Sequence, residues 1–416
     1  MEQRDVVIIG AGPAGAIAGA LLKKRGWDVL ILENQRFPRF SIGESLLTHC
    51  LDFVAEAGML PAVEAAGFQF KNGAAFVRGS EYGDIDFGDK FGPGRDSTYQ
   101  VQRAKFDKVL ADEAEKQGVE IRYEVRVTAV EPDDRRPRVV ARDAAGNEHM
   151  LAAKFVLDAS GFGRALPRLL QLETPSTFPV RNAVFTHVAD RIPEGAFDRN
   201  KIQVVVHPKQ RDVWFWLIPF QHGRCSLGTV AKKEFFDTYP ADPNQRIRML
   251  VGEEPFLSRL LKNAEWDTPA RELSGYAADV KAMHGKGFAL LGNAAEFLDP
   301  VFSSGVTIAM RSASMAAALV DRQFRGEVVD WEAEFEKPLR KGVDTFRAYV
   351  HAWYDGRFQD VMFSKTQPPG IRRMICSILA GYAWDQDNPF VAEPERRLDI
   401  IAQICAAEHA REGALA

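Results

Sequence analysis

The sequence predicts an α/β fold: a parallel sheet of nucleotide-binding type, a β-rich second unit, and a helical C-terminal region. Three observations carry this expectation. A short apolar run, Asp5 to Gly10, leads into the glycine-spaced turn Gly10-Ala-Gly12-Pro-Ala-Gly15 and a helix of small residues. Segments between 182 and 231 alternate or run apolar at strand length, with turn residues between them. From Trp331 onward, apolar residues recur at helical spacing.

In chain order, Asp5 to Gly10 reads as a buried parallel strand, Pro13 to Arg25 as a helix stopped by Gly26, and Asp28 to Glu33 as a second buried strand. Together they form one βαβ unit of the expected size, about 30 residues. Asp107 to Gln117 is a further helix, and the stretch VEIRYEVRVTAVE after Gly118 is strand-like. Residues 132–148 form a hairpin region around the AAGN turn. Phe155 to Asp158 is a short buried strand. Asn182 to Val188, Ile202 to His207, Val213 to Pro219 and Cys225 to Ala231 are strands of a mixed or antiparallel sheet. FALLG, closing at Gly292, returns to the buried type and a small-residue helix follows. The nucleotide unit is therefore discontinuous, over 1–66, 98–165 and 276–330. The β-rich substrate unit covers 67–97 and 166–275, and the helical region 331–416. No repeat or low-complexity segment interrupts this order.

Composition limits the function classes. The chain has 416 residues, 46% hydrophobic and 26% charged, with a formal net charge of -4. No basic field exists to hold nucleic acid. Its 4 cysteines, Cys50, Cys225, Cys376 and Cys405, form no CxxC pair, and its 8 histidines show no metal-ligand spacing. Neither a disulfide framework nor a metal site is expected, and a reducing cytoplasm is the simplest compartment. Residues 6–22 are apolar enough to mimic a signal peptide. The acidic start and motif-spaced glycines instead favour strand, turn and helix. No other run is long enough to span a membrane.

The chemistry starts at Gly10, Gly12 and Gly15. The first permits a tight turn, the second a close approach of backbone to a pyrophosphate, and the third close packing of helix on strand. Pro13 and Ala14 open that helix, whose free N–H groups favour an anion. Glu33 ends the second strand, where a carboxylate accepts ribose hydroxyls. A glycine turn without ligand is the bland alternative.

Three further segments resemble flavoproteins of the aromatic hydroxylase type, with a glutathione-reductase-like Rossmann FAD-binding domain. Asp158-Ala-Ser-Gly161 is similar to that family's D-A-x-G segment. Gly292-Asn293-Ala-Ala-Glu-Phe-Leu-Asp299-Pro300 is similar to its G-D-A-A…P segment, with Asn293 in place of the usual Asp. Arg103 matches an arginine near the cofactor. The resemblance implies FAD as cofactor. Within this group the chain resembles the flavin-dependent halogenases. Pro38-Arg39-Phe-Ser-Ile42-Gly43-Glu44-Ser45, Trp214-Phe-Trp216-Leu-Ile218-Pro219, Asp299-Pro-Val-Phe-Ser303-Ser304-Gly305-Val and Gly67-Phe-Gln-Phe-Lys71-Asn-Gly73-Ala carry that likeness.

The resemblance implies that FADH2, oxygen and halide yield hypohalous acid, which Lys71 delivers to a phenolic, pyrrolic or carrier-bound aromatic substrate. Arg39, Glu44 and Ser45 would join the cofactor site. Ser304 and Gly305 would offer backbone N–H groups to halide, and Trp214 and Trp216 would wall flavin from substrate. Each has a plainer alternative: Lys71 solvated beside the Asn72-Gly73 turn signal, the tryptophans as aromatic core, and the serines as helix caps. Phe346, Tyr349, Trp353 and Tyr354 of the tail are expected in the core, with the lining of a pocket as the alternative. No second GxGxxG follows a strand, so reducing equivalents are expected from a separate flavin reductase. The competing functions are a monooxygenase, a reductase of the geranylgeranyl type, and a non-catalytic flavin-binding protein.

Overall fold

A computed structural model describes residues 1–364 and 367–415, with side chains through residue 407. Of the expected helical region, residues 365, 366 and 416 lie outside the described residues. The opening strand, Glu2–Ile9, pairs in parallel with Val29–Glu33 on one side and with the end of Glu148–Asp158 on the other. Glu120–Tyr123 and Phe288–Leu290 extend the parallel sheet at its two edges. Val6, Val7, Ile8 and their neighbours Leu30 and Ile31 are wholly buried. Helices on both faces demand that continuous apolar character.

The helix Pro13–Lys24 lies close to this sheet. A Cβ on Gly15 would stand 1.9 Å from the Gly10 carbonyl oxygen. Gly10 itself has φ +97, which a side chain would strain. Both glycines thus serve the tight turn that the motif implies.

Several boundaries differ from expectation for physical reasons. The VEIRYEVRVTAVE stretch is two strands. Glu124, at φ 60, breaks the run, so Glu120–Tyr123 joins the parallel sheet and Val125–Glu131 turns away to pair with Arg138–Asp143. The short strand expected at Phe155 is the buried end of the 11-residue strand Glu148–Asp158, whose first half closes the hairpin with Arg138–Asp143. The helix expected from Asp107 begins at Arg103, where the guanidinium bonds the Asp107 carboxylate one turn on.

The second sheet has the order Arg271–Ser274, Arg181–Ala189, Arg224–Lys232, Trp214–Phe220, Lys201–Val206, Gly73–Arg78 and Glu81–Asp86. All its pairings are antiparallel except Lys201–Val206 with Gly73–Arg78. One face carries Val184, Val205, Phe215 and Leu227 against the helices around Ile247 and Leu257. The opposite face, with Phe185, Trp214 and Trp216, meets the nucleotide sheet's core. The C-terminal helices pack onto both units, and Phe346, Tyr349 and Trp353 are fully buried. Among the described residues no helix is long and apolar enough to cross a membrane, and no cluster of His, Cys, Asp or Glu is able to hold a metal ion.

Candidate active site

Where the two sheets face each other lies a cavity of about 870 Å³, at the large end of the range for small-molecule and cofactor sites. Gly10, Gly12, Pro13, Ala14, Glu33, Arg39, Glu44, Ser45, Arg103, Gly161, Asn293, Pro300 and Gly305 line it, with Trp214 and Trp216. Gly15, Lys71, Asp158, Gly292, Asp299 and Ser304 are outside its lining.

The phosphate end is built from backbone. The Glu33 carboxylate accepts from the amides of Ala11 at 2.9 Å and Gln35 at 3.0 Å, which fixes the turn over the strand ends. Arg39 stands across that turn, 3.6 Å from Glu33 and 3.3 Å from Asp107. Arg103 bonds Asp107 at 2.7 and 3.0 Å and donates to the Ile42 carbonyl at 2.6 Å, so it anchors the 42–45 loop. Asp158 accepts from the amides of Ser160 and Leu166 and thereby shapes the loop above it. Burial holds its carboxyl above the usual range, against those bonds. Ser45 and Asn293 line the cavity, and the Ser45 hydroxyl and the Asn293 amide oxygen are buried without a hydrogen-bond partner. Unsatisfied buried polar atoms are costly. Two beside one cavity suit a hydroxyl-bearing ligand such as the ribityl chain of FAD. These residues fit the dinucleotide.

The aromatic wall comes from the second sheet. Trp214 and Trp216, two apart on one strand, share a side, with ring centroids 5.9 Å apart. Trp216 sits opposite Gly228 in the register, where a Cβ would lie 2.2 Å from its ring. Its indole N–H donates to Ser226 at 3.0 Å. The Trp214 indole donates to the Tyr354 hydroxyl at 3.0 Å, which in turn donates to Asp299 at 2.8 Å. Tyr276 donates to the same carboxylate at 3.1 Å. Burial pushes the Asp299 carboxyl up to about 6. Tyr354, expected in the core with a pocket-lining role as the alternative, therefore ties the tryptophan wall to the turn before Gly305.

Lys71 is not solvated. Asn72-Gly73 is no turn: Gly73 begins a strand, and Lys71 ends another, paired with Thr98. Its ammonium is 1% exposed, donates to the Leu46 carbonyl at 2.7 Å, and stands 5.3 Å from the centre of the Phe87 ring. Burial lowers its pKa to about 7. The neighbouring Cys50 thiol, itself pushed up by burial, lies 3.0 Å from the Thr307 hydroxyl in the first turn of the helix Gly305–Phe324. Ser304 precedes that helix without making a side-chain cap. The amides of Ser304, Gly305 and Val306 donate to nothing among the described residues.

One participant carries no sequence signal. His187, in the strand Arg181–Ala189, bonds the Glu44 carboxylate at 2.8 Å. Phe40 stacks on Phe185 at 5.9 Å and lies under the Arg271 guanidinium.

A parallel sheet with a glycine-rich phosphate turn, facing a cavity with an aromatic wall, defines a dinucleotide-dependent oxidoreductase. Residues 3–331 match the family model of the FAD binding domain. A 1H-pyrrole-2-carbonyl-(peptidyl-carrier protein) brominase of Pseudoalteromonas luteoviolacea (strain 2ta16) is 31% identical over 337 residues, 80% of this chain and 80% of that protein. The crystal structure of a flavoprotein/dehydrogenase from Cytophaga hutchinsonii matches at 44% identity and TM-score 0.95, over 98% of this chain and 100% of that one. The flavin-dependent brominase Bmp2 matches at 27% identity and TM-score 0.82, over 99% of this chain and 100% of that one. The chain belongs to the FAD-binding flavoprotein family that includes the flavin-dependent halogenases, and FAD is its cofactor.

Proposed function

We propose that the chain halogenates an electron-rich aromatic ring, phenolic, pyrrolic or carrier-bound, with Lys71 handling the oxidant. Reduced FAD, with oxygen and halide, supplies hypohalous acid. The amides around Gly12 and the start of the following helix bind the pyrophosphate, with Arg39 alongside. Glu33 takes the ribose, and Ser45 and Asn293 take ribityl hydroxyls. The free amides of Ser304 and Gly305 form an anion site for halide. Trp214 and Trp216 keep the organic substrate apart from the flavin.

The observation that carries this reading is Lys71 itself. A buried lysine with a pKa of about 7 exists near neutral pH both as ammonium, which hydrogen-bonds the oxidant, and as amine, which exchanges a proton for halogen and releases water. Its neighbour Cys50 touches the helix whose first amides would hold the halide. Perturbed groups of this kind cluster at functional sites. Of the relatives, the brominase of Pseudoalteromonas luteoviolacea acts on a carrier-bound pyrrole, which supports that substrate class here. A separate flavin reductase would supply the reduced cofactor.

A second reading, a flavin dehydrogenase without halide chemistry, is favoured by the 44% identity to the Cytophaga flavoprotein/dehydrogenase and by the enclosure of Lys71 outside the cavity lining. The test is Lys71→Ala with FAD, a flavin reductase and bromide. Halogenation abolished while FAD still binds supports the halogenase. Retained halogenation removes Lys71 from the mechanism, and turnover indifferent to bromide favours the dehydrogenase.

A further inference from the structure

We infer that Cys50 is a self-modification site: halogen borne on the Lys71 amine passes to its thiol when no aromatic ring takes it, and a bond from Lys71 Nζ to Cys50 Sγ closes. This rests on the halogenase reading and adds to it a stop on turnover when substrate is absent. The two groups meet at one turn. The Lys71 ammonium donates to the Leu46 carbonyl at 2.7 Å, and the turn that follows closes with the Cys50 amide on the Leu47 carbonyl at 3.0 Å. Cys50 then begins the helix Cys50–Glu56. Its thiol is wholly buried, 3.0 Å from the Thr307 hydroxyl. Apart from burial itself, Cys50 is the group that acts on the Lys71 charge, and Lys71 acts in turn on the thiol.

The surroundings suit a small polar guest at the amine. An ammonium has three N–H donors, and among the described residues Lys71 uses one. Thr98 faces it across the strand pair, and its hydroxyl, in a residue 1% exposed, is buried without a hydrogen-bond partner. Opposed side chains of an antiparallel pair share a face. Cys225 and Cys376 have no such setting: they donate to the Asp190 carboxylate at 3.0 Å and the Asp86 carbonyl at 3.1 Å. In the chemistry, the Lys71 amine first exchanges a proton for halogen from hypohalous acid, and water is released. With no ring to take that halogen, the sulfur lone pair takes it, the N–X bond breaks, and the thiol proton passes to Nζ. Nζ then attacks sulfur, halide leaves with the S–X bonding pair, and a proton is released. Thiol, amine and hypohalous acid thus give a sulfenamide, water and hydrogen halide. Sulfur loses two electrons and the halogen gains them. A sulfenamide is a reversible oxidised state of cysteine.

The test incubates full-length protein with reduced FAD, oxygen and bromide, with or without phenol and pyrrole, and then reads intact mass and digest peptides. Without a ring, wild type should lose the mass of two hydrogens, yield a peptide joining Lys71 to Cys50, and lose bromination of phenol and pyrrole added afterwards. Dithiothreitol should reverse all three changes. A ring present from the start should suppress them, and Cys225 and Cys376 should keep their thiols throughout. Cys50→Ser retains a hydroxyl for Thr307 and should keep its mass and its bromination through the same incubation. If Cys50→Ser fails to fold, the joined peptide in wild type decides. Bromination by wild type with no joined peptide after incubation without a ring overturns the inference and leaves the halogenase reading standing. A joined peptide formed equally well without bromide overturns the route through halogen. Wild type that brominates neither ring and forms no joined peptide overturns the halogenase reading, and the inference with it.

Discussion

Replacing Lys71 by Met should abolish halogenation and yet stabilise the fold at low pH. The native pKa of about 7 compares with about 10.4 for a free lysine. At ~1.36 kcal/mol per unit, holding the buried ammonium costs about 5 kcal/mol below pH ~7. Between those two values the unfolded chain binds the extra proton, so stability rises with pH across that window. The cost shrinks to about 2 kcal/mol near pH 9 and vanishes above about 10.4. Methionine fills similar volume but leaves the Leu46 carbonyl unbonded, a loss of about 1–3 kcal/mol. Lys71→Met should therefore be more stable by about 2–4 kcal/mol near pH 6 and close to neutral near pH 9. Urea unfolding at the two pH values measures this. A variant less stable than wild type near pH 6, or a difference independent of pH, would refute the electrostatic account of Lys71.

Other residues give equally direct tests. Gly15→Ala places a methyl group 1.9 Å from the Gly10 carbonyl, so FAD affinity should collapse, read as loss of the bound flavin spectrum. Gly228→Ala drives a methyl group into the Trp216 ring and should destabilise by about 1–3 kcal/mol, with Trp216 fluorescence shifted in the folded state. Asp299, raised to about 6 by burial, is favoured protonated in the fold. Its contribution, about 3 kcal/mol, is full below about pH 4 and lost as pH rises through about 6. Asp299→Asn should remove that dependence, seen as the difference between variant and wild-type urea midpoints at the two ends of this range.

The nucleotide half was legible because its signal is local. Spacing from Gly10 to Gly15, followed by Glu33 at a strand end, describes one contiguous βαβ unit with a built-in steric demand. The Trp214-Trp216 pair was legible for the same reason, since alternation on a strand sets a common face. The burial of Lys71, a residue singled out by the resemblance alone, was not: Asn72-Gly73 signals a turn, and only the packing of Leu46, Cys50 and Phe87 around it shows a buried ammonium. His187 and Tyr354 act across 143 and 55 residues of chain, respectively, on Glu44 and Asp299, and no local pattern encodes such a meeting. The split at Glu124 rests on one positive φ that the strand-like composition concealed.

Mass spectrometry of the products from purified protein, FAD, a flavin reductase, oxygen, bromide and a panel of free and carrier-bound phenols and pyrroles decides the matter most directly. A bromine isotope doublet on the ring, present with wild type and absent with Lys71→Met, is the expected result. Reduced or hydroxylated product formed equally well without bromide would contradict it.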